Sequence, residues 1–558
     1  MTFVITRPCC NDASCVSVCP VNCIHPTPEE PEFATAEMLY IDPETCIDCG
    51  ACVDACPVDA IFPDDELAEE DEPYLRLNAD YYRDHDVEAG APQLVRAPKL
   101  PDDEVHVAVV GAGPAAFYAA EELIRHPSVR VDVFDRLPTP YGLVRAGVAP
   151  DHAKTKRVER TFASAARKKN FRYYLGVEVG RDVSHDELVD RYHAVLYASG
   201  ASADKRLGID GESLPGSVAA TDFVAWYNGH PDHADDVYDL SADRAVVIGN
   251  GNVALDVARI LLTDPDELAA TDVAAHALEA LRASSIREVV VLGRRSIADG
   301  AYTNSEFLSM GLIDGVDVVI DEADLRLSPR LAKQVADDSV DSTIGSKIRL
   351  AREYAENGEG GNRRRVVFRY LTAPTAILGE ERVSGVRVVR NVFDSASDRV
   401  VPSGESVEID AGLVIRSIGY RGIAVEGLPF DDDTGVVPNE AGRVLGDDGA
   451  PVPGHYVAGW LKRGASGGIG TNRFCGQETA GALVDDVIAG VLPTPGSSRE
   501  EVPELLAARG VHVVDADGWA AIDRAEREAG RAIGSPRRKI VTIAGLREAA
   551  VSAHPSDS

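Results

Sequence analysis

VHVAVVGAGPAAFYAAEELIRH, residues 105–126, contains three physical pieces in a fixed order. Val105–Val110 is apolar at nearly every position, the composition of a short strand buried on both faces. The turn Gly111-x-Gly113-x-x-Ala116 follows, and then a run of helix formers. Glycines there permit the tight turn and let backbone approach a pyrophosphate, which the helix N-terminus receives with free N–H groups and positive dipole. The next apolar run, VRVDVFD, ends at Asp135, where an acid suits a ribose hydroxyl pair. A glycine turn alone is a weak signal. With strand, helix and acid in sequence it predicts a dinucleotide-binding unit contacted by Gly111, Gly113, Pro114, Ala115 and Asp135. The unit by itself does not separate FAD from NAD.

RAVVIGNGNVALDVARILL, residues 244–262, repeats the pattern, with Asn250, Gly251, Asn252 and Val253 in the turn and Ala254 replacing the third glycine. The following strand, VVVLGRR, ends in Arg294 and Arg295 instead of an acid. Two guanidinium groups at that strand end suit a 2′-phosphate, so NADPH is expected in preference to NADH. An exposed arginine pair with no ligand is the bland alternative, and its placement behind a glycine turn weighs against it. Residues 264–287 are inserted between helix and strand.

Upstream, cysteine dominates. Nine of the ten cysteines lie in the first 56 residues. Cys46, Cys49, Cys52 and Cys56-Pro57 fit the run C-x2-C-x2-C-x3-C-P of bacterial two-cluster ferredoxins residue for residue. CCNDASCVSVCP, residues 9–20, fits it except that Asp12 occupies the second cysteine position. The fourth cysteine of each run serves the other cluster. Cys46, Cys49, Cys52 and Cys19 are therefore expected on one 4Fe-4S cluster, leaving Cys9, Cys15 and Cys56 for a second site. A carboxylate holds an iron–sulfur corner less firmly than thiolate. A 3Fe-4S cluster is expected there, with a 4Fe-4S form ligated by Asp12 as the alternative. Cys10 and Cys23 are off the template and are expected to be ordinary buried cysteines. A zinc site or disulfide knot is the rival reading, disfavoured because the two runs mirror each other.

Residues 1–65 thus resemble bacterial two-cluster ferredoxins, with HPTPEEPEFATAEM (25–38) expected as a surface loop. LPTPYGLVRAGVAPDH (137–152) closely resembles the flavin-contacting segment of adrenodoxin-reductase-type ferredoxin–NADP reductases. That resemblance implies FAD at the first site, Leu143 along the flavin, Val179 toward the adenine side and His152 as the candidate catalytic residue near the reactive centre. It also implies a helical insertion at 264–287, Glu306 at the NADP ribose and Arg206 near the nicotinamide nucleotide. Ser309 stands where the family often has a second acid, which weakens the carry-over of an acid partner for His152. GWLKRGASGGIGTN (459–472) matches the family's late segment, implying Trp460 beside flavin or nicotinamide, and Gly467, Gly468 and Ile469 at the rings. Cys475 has no cysteine nearby, which argues against a flavin disulfide reductase.

The fold class expected is α/β, two Rossmann-like dinucleotide-binding domains preceded by a small α+β bacterial-type ferredoxin domain. Its expected parts are a ferredoxin (1–65), an acidic, proline-containing linker (66–104), an FAD-binding domain in two pieces (105–215 and 411–495), an NADP-binding domain with insertions (216–410) and an extension (496–558). In the extension SPRRKI (535–540) is expected as an exposed helix or strand end. A net charge of −35 on 558 residues excludes a general nucleic-acid binder, since phosphate would be repelled over most of the surface. The absence of a signal peptide or apolar span, with clustered C-x-x-C spacing, predicts a cytoplasmic protein. The resemblance, over nearly the whole chain, is to a bacterial ferredoxin/ferredoxin–NADP reductase fusion. It implies an NADPH:ferredoxin oxidoreductase carrying FAD, NADP(H) and two clusters, with a one-electron acceptor protein such as a ferredoxin or cytochrome P450. An electron-input module resembling a glutamate synthase small subunit is the alternative, and a non-enzymatic electron carrier is a third reading.

Overall fold

The computed structural model describes residues 2–85, 98–358, 360–394 and 398–551. Two parallel sheets form its body. In the first, Val105–Val110 lies between Val129–Asp135 and Ala194–Tyr197, all parallel. Phe171–Leu175 closes one edge. The other edge is built by a segment some 250 residues downstream, Pro451–Val457, which pairs in parallel with Ala194–Tyr197 and leads out to Arg443–Leu445 and Asn439–Glu440. Val107, Val109, Val131 and Leu196 are fully buried, as the unbroken apolar runs require of a sheet covered on both faces. The first glycine helix, Pro114–Ile124, covers one face.

The second sheet has six parallel strands in the order Ser217–Ala219, Leu413–Arg416, Arg244–Ile248, Glu288–Leu292, Arg364–Arg369, Val316–Ile320. Leu413–Arg416 lies inside this sheet, so the nucleotide domain extends past the boundary expected at residue 410. Its four residues are buried and leave no polar edge to read as a domain end.

The N-terminal cysteine-rich domain, expected as a ferredoxin, is built from two antiparallel pairs, Phe3–Ile5 with Ile61–Pro63 and Ile24–His25 with Tyr40–Ile41. Each cysteine run turns into a short helical segment, Val16–Val18 in one half and Ala51–Ala55 in the other. Part of the expected linker 66–104 belongs to this domain. Pro73–Tyr81 is a helix burying Tyr74, Leu77, Asn78 and Tyr81, a spacing of three and four residues that makes one helical face. The Asn78 amide Oδ1 accepts from the backbone N–H of Ile5 (3.2 Å) and Ile41 (2.9 Å), stitching the two strand pairs together. The portion 86–97 lies outside the described residues.

The expected surface loop after His25 is a clamp. Phe33 packs edge-on against Phe474 at 4.4 Å, and Glu37 pairs with Lys347 (2.9 Å) and accepts from Asn304 N–H (2.6 Å). The apolar residues among the prolines and acids, Phe33 and Met38, are buried.

The extension folds back on the first sheet as helices Val502–Ala508, Ala516–Arg531 and Ile543–Val551. SPRRKI is not an exposed end. Arg537 and Lys539 are buried, the first bonded to Glu526 (2.8 Å), the second to Asp272 (3.1 Å). The acids Glu526, on the preceding helix, and Asp272, from a turn of the second half, make burial of these cations tolerable. Among the described residues no helix is long and apolar enough to cross a membrane.

Candidate functional site

The first glycine turn is as tight as its sequence demands. Gly111 sits at φ +108°, and a Cβ there would lie 2.4 Å from the Ala198 carbonyl oxygen. Gly113 caps the helix that Pro114 opens. The Asp135 carboxylate accepts from the N–H groups of Ala112 (2.8 Å) and Leu137 (2.9 Å), so the acid expected at a ribose also ties the turn to the next loop. Burial pushes its carboxyl up. The segment 137–152 folds back over this turn, with Tyr141 N–H on the Ala112 carbonyl (2.7 Å). There Leu143 remains 40% exposed although it is large and apolar, and Val179 is half-buried. Ala115 lies against Gly459, where a Cβ would be 2.7 Å from its own.

The second turn matches the first. Gly249 sits at φ +113° against the Ser417 carbonyl, and Gly251 caps the helix Asn252–Leu262. Asn250 lies against Gly293, Asn252 Oδ1 accepts from Thr303 N–H (2.8 Å), and Val253 is half-buried. Arg294 and Arg295 follow the strand Glu288–Leu292 and are both exposed, with Arg295 3.3 Å from Asp299. Arg206 is exposed on the connection between the sheets.

Where the two halves meet, His152 is nearly enclosed by charge. Its Nε2 lies 2.6 Å from Arg259 Nη2, 2.6 Å from Arg7 Nη2, 3.8 Å from Glu306 and 3.9 Å from Asp256. Two guanidinium N–H groups aimed at one ring nitrogen require its lone pair, which assigns the imidazole proton to Nδ1. Burial pulls the His152 pKa down, and the neighbouring arginines add to that. Burial works against ionised Glu306, but Arg7 and Arg259 oppose it and the carboxyl lies low, at about 2. Asp151 is held well below the usual carboxylate range by Arg259 despite its burial. The acid partners of His152 are thus Glu306 and Asp256, and Ser309 instead bonds back to the Glu306 carbonyl (2.7 Å). His152, Asp256 and Glu306 have the spacing of a cation site, but the two guanidinium groups already supply its positive charge.

Asp256, Arg259 and Arg7 were not singled out from the sequence. The first two sit three residues apart on the second glycine helix, a detectable pair on one face. No local pattern marks Arg7, whose role depends on how the ferredoxin domain docks.

In that domain Cys19, Cys46, Cys49 and Cys52 line one common opening, the set expected on one cluster. Cys23 lines it too, its sulfur 3.4 Å from that of Cys19, and this contact lowers the Cys19 thiol to about 5. Cys9, Cys15 and Cys56 are grouped separately. Burial pushes all three thiols up, Cys9 to about 12, and negative charge nearby, Asp12 included, adds to it. A cation in their midst reverses that penalty, so the donor set suits an iron–sulfur group. Asp12, expected as the weak ligand, has both oxygens engaged: Oδ1 accepts from Ser14 N–H (3.2 Å), and Oδ2 accepts from Ser14 Oγ (2.5 Å) and lies 3.3 Å from Arg473 Nη1.

The late glycine segment closes the site. Gly459 and Gly467 both have φ +71°. Trp460 Nε1 donates to the Ser466 carbonyl (3.0 Å), and its ring lies 5.1 Å from that of Tyr420. Gly468 is exposed with open space beside it, and Ile469 is half-buried. Gly470 donates to the Cys10 carbonyl (2.7 Å), and a Cβ there would strike the Asn11 backbone at 2.0 Å. The ferredoxin loop therefore rests on this segment. Cys475 is buried, and none of the ten cysteines forms a disulfide.

A family model described as "Pyridine nucleotide-disulphide oxidoreductase" matches residues 105–459, and one described as "4Fe-4S binding domain" matches residues 39–62. The chain is 48% identical over 564 residues to the probable ferredoxin/ferredoxin–NADP reductase of Mycobacterium leprae, covering 100% of this chain and 99% of that protein. It is 45% identical over 458 residues to the NADPH-ferredoxin reductase FprA of Mycobacterium tuberculosis, covering 79% and 98%. The solved structure of that FprA in complex with NADPH superimposes with a TM-score of 0.74 at 44% identity, covering 80% of this chain and 100% of that one. With the cysteine domain, both glycine turns and the late glycine segment carried on one polypeptide, the chain belongs to the ferredoxin/ferredoxin–NADP reductase family.

Proposed function

We propose that this protein oxidises NADPH and delivers the electrons singly to its own iron–sulfur domain and from there to an acceptor protein. FAD supplies the conversion between a two-electron hydride donor and one-electron centres. The chain's own groups bind and orient. Gly111, Gly113, Pro114, Ala115, Asp135, Leu143 and Val179 hold the flavin nucleotide. Asn250, Gly251, Asn252, Val253, Arg206, Arg294, Arg295 and Glu306 hold NADP(H), the arginine pair selecting the 2′-phosphate. Trp460, Gly467, Gly468 and Ile469 bring the two rings together. His152 keeps its proton at Nδ1 between Arg7 and Arg259.

The observation that carries this reading is the seat of the ferredoxin loop, Cys10 on Gly470, at the segment expected to meet the rings. Cys9 and Cys56 pack against the apolar core under the first glycine helix, whereas Cys49 is exposed. The Asp12 site thus faces the reductase and the four-cysteine site faces outward. Engagement of Asp12 by Ser14 and Arg473 favours a 3Fe-4S centre there over an Asp12-ligated 4Fe-4S form. The acceptor is a soluble one-electron carrier, a ferredoxin or a cytochrome P450, in the cytoplasm. The rival electron-input module gains no support, since the full-length relatives carry the reductase name.

Anaerobic stopped-flow with NADPH tests the proposal. Flavin bleaching is expected first, then the cluster absorbance. Flavin that reduces while no cluster follows, even on long incubation, would overturn it.

A further inference from the structure

We propose that the ferredoxin domain supplies a working part of the reductase site: Arg7 is a positioning residue for His152 and Glu306, so domain docking and nucleotide handling are coupled. The inference rests on the NADPH-oxidising reading above and goes beyond it, because it assigns a residue of the electron-accepting domain to the hydride side.

Arg7 belongs to the loop between Phe3–Ile5 and Cys9. That loop is fixed from both sides inside its own domain, by Thr6 N–H on the Ala60 carbonyl (2.8 Å) and Cys9 N–H on the Thr6 carbonyl (3.1 Å). The guanidinium therefore goes where the cluster-binding loop goes. Its Nη2 bridges His152 Nε2 at 2.6 Å and Glu306 Oε2 at 3.0 Å. Its Nε is buried with no protein partner, a donor left for an acceptor outside the chain. Around His152 stand three carboxylates, Asp151, Asp256 and Glu306, and two guanidinium groups, Arg259 and Arg7. Of the two guanidinium groups, Arg259 comes from the reductase and Arg7 does not. Withdrawing Arg7 leaves one cation against three acids, an arrangement that favours protonation of His152 and leaves Glu306 held by Arg259 alone (3.3 Å). Further contacts hold the domain so that Arg7 reaches: Arg473 donates to the Asp12 carbonyl (2.6 Å) and Ser14 Oγ (2.7 Å), and Arg157 pairs with Asp59.

The test uses the full-length holoprotein with histidine ring-labelled, the His152 resonance being assigned by its loss in His152→Gln. Arg7→Ala is expected to raise the His152 titration midpoint by about one pH unit and to weaken NADP+ binding, read from the flavin difference spectrum, on the order of tenfold. Arg7→Lys should return the midpoint toward that of the parent, and Arg7→Gln, which keeps a polar side chain without the charge, should not. If Arg7→Ala does not assemble its cofactors, the Lys and Gln variants alone decide the matter. In the Glu306→Gln background, Arg7→Gln should weaken NADP+ binding less than it does in the parent. A midpoint and an NADP+ affinity unmoved by Arg7→Ala, or by Arg7→Gln relative to Arg7→Lys, overturn the proposal. If NADPH fails to reduce the flavin of the parent protein, it is the oxidoreductase reading that fails instead.

Discussion

Arg294 and Arg295 are exposed at a strand end, and among the described residues Asp299 is the acid paired with the second. Two exposed guanidinium groups discriminate by charge, so Arg294→Ala/Arg295→Ala should raise KM for NADPH roughly 10- to 100-fold. KM for NADH should hardly change. An unaltered NADPH/NADH preference in steady-state assays would return the pair to ordinary surface residues. Asp12 is the other informative single position. Low-temperature electron paramagnetic resonance of the isolated protein should carry the signal of an oxidised three-iron centre, and Asp12→Cys should replace it with a four-iron spectrum once reduced. A spectrum identical to the parent's would remove residue 12 from any part in choosing the cluster. The substitution also deletes the carboxylate facing Arg473, so it reads the cluster and the domain contact together.

At the scale of elements, helix Ala516–Arg531 explains why the extension exists as structure. Its Glu526 is fully buried between Arg145 (2.6 Å) and Arg537 (2.8 Å), joining the extension to the flavin-side segment 143–146. Trp519 adds an edge contact to Tyr141 at 5.6 Å. Removing one partner from such a group leaves buried charge unpaired, and Glu526→Gln should destabilise the first domain by about 3–5 kcal/mol. The pH dependence has a definite sign. The folded carboxyl is lowered to about 2, below its unfolded value, because Arg145 and Arg537 outweigh the cost of burial. Its contribution is complete above the unfolded carboxylate range, near pH 4.5, and is lost as pH falls toward 2. Thermal melts at pH 7 and pH 3 should therefore show a smaller gap between parent and variant at the lower pH. An equal gap at both would mean that the pairing contributes nothing. Helix Pro73–Tyr81 shows how an element escapes a first reading. Its buried residues recur at helical spacing, but it opens behind an acidic run that reads as a solvated linker.

For the whole molecule, the decisive feature is that one small domain touches both reductase halves: Gly470 and Arg473 on the flavin side, Asn304, Glu306 and Lys347 on the nucleotide side. Arg473→Ala should loosen that seat without touching a cysteine. Hydrogen exchange of segments 8–14 and 466–473 should rise together, while that of strand Val105–Val110 stays slow; exchange confined to one segment would mean that the two are not joined. Much of this protein could be read from the linear chain, because its chemistry is local there. A glycine turn between a buried strand and a helix needs Gly111 and Gly249, whose neighbours within a few residues make the strand and helix visible. Cysteines at ferredoxin spacing stand out by that spacing, as do two arginines at a strand end. What the linear chain left open came from meetings between residues far apart: Arg7 with His152, Asp12 with Arg473, Glu37 with Lys347, Lys539 with Asp272. Each joins charges or polar groups whose partners lie on another domain or another helix, and neither periodicity nor spacing encodes a contact that exists only once separately folded surfaces are pressed together.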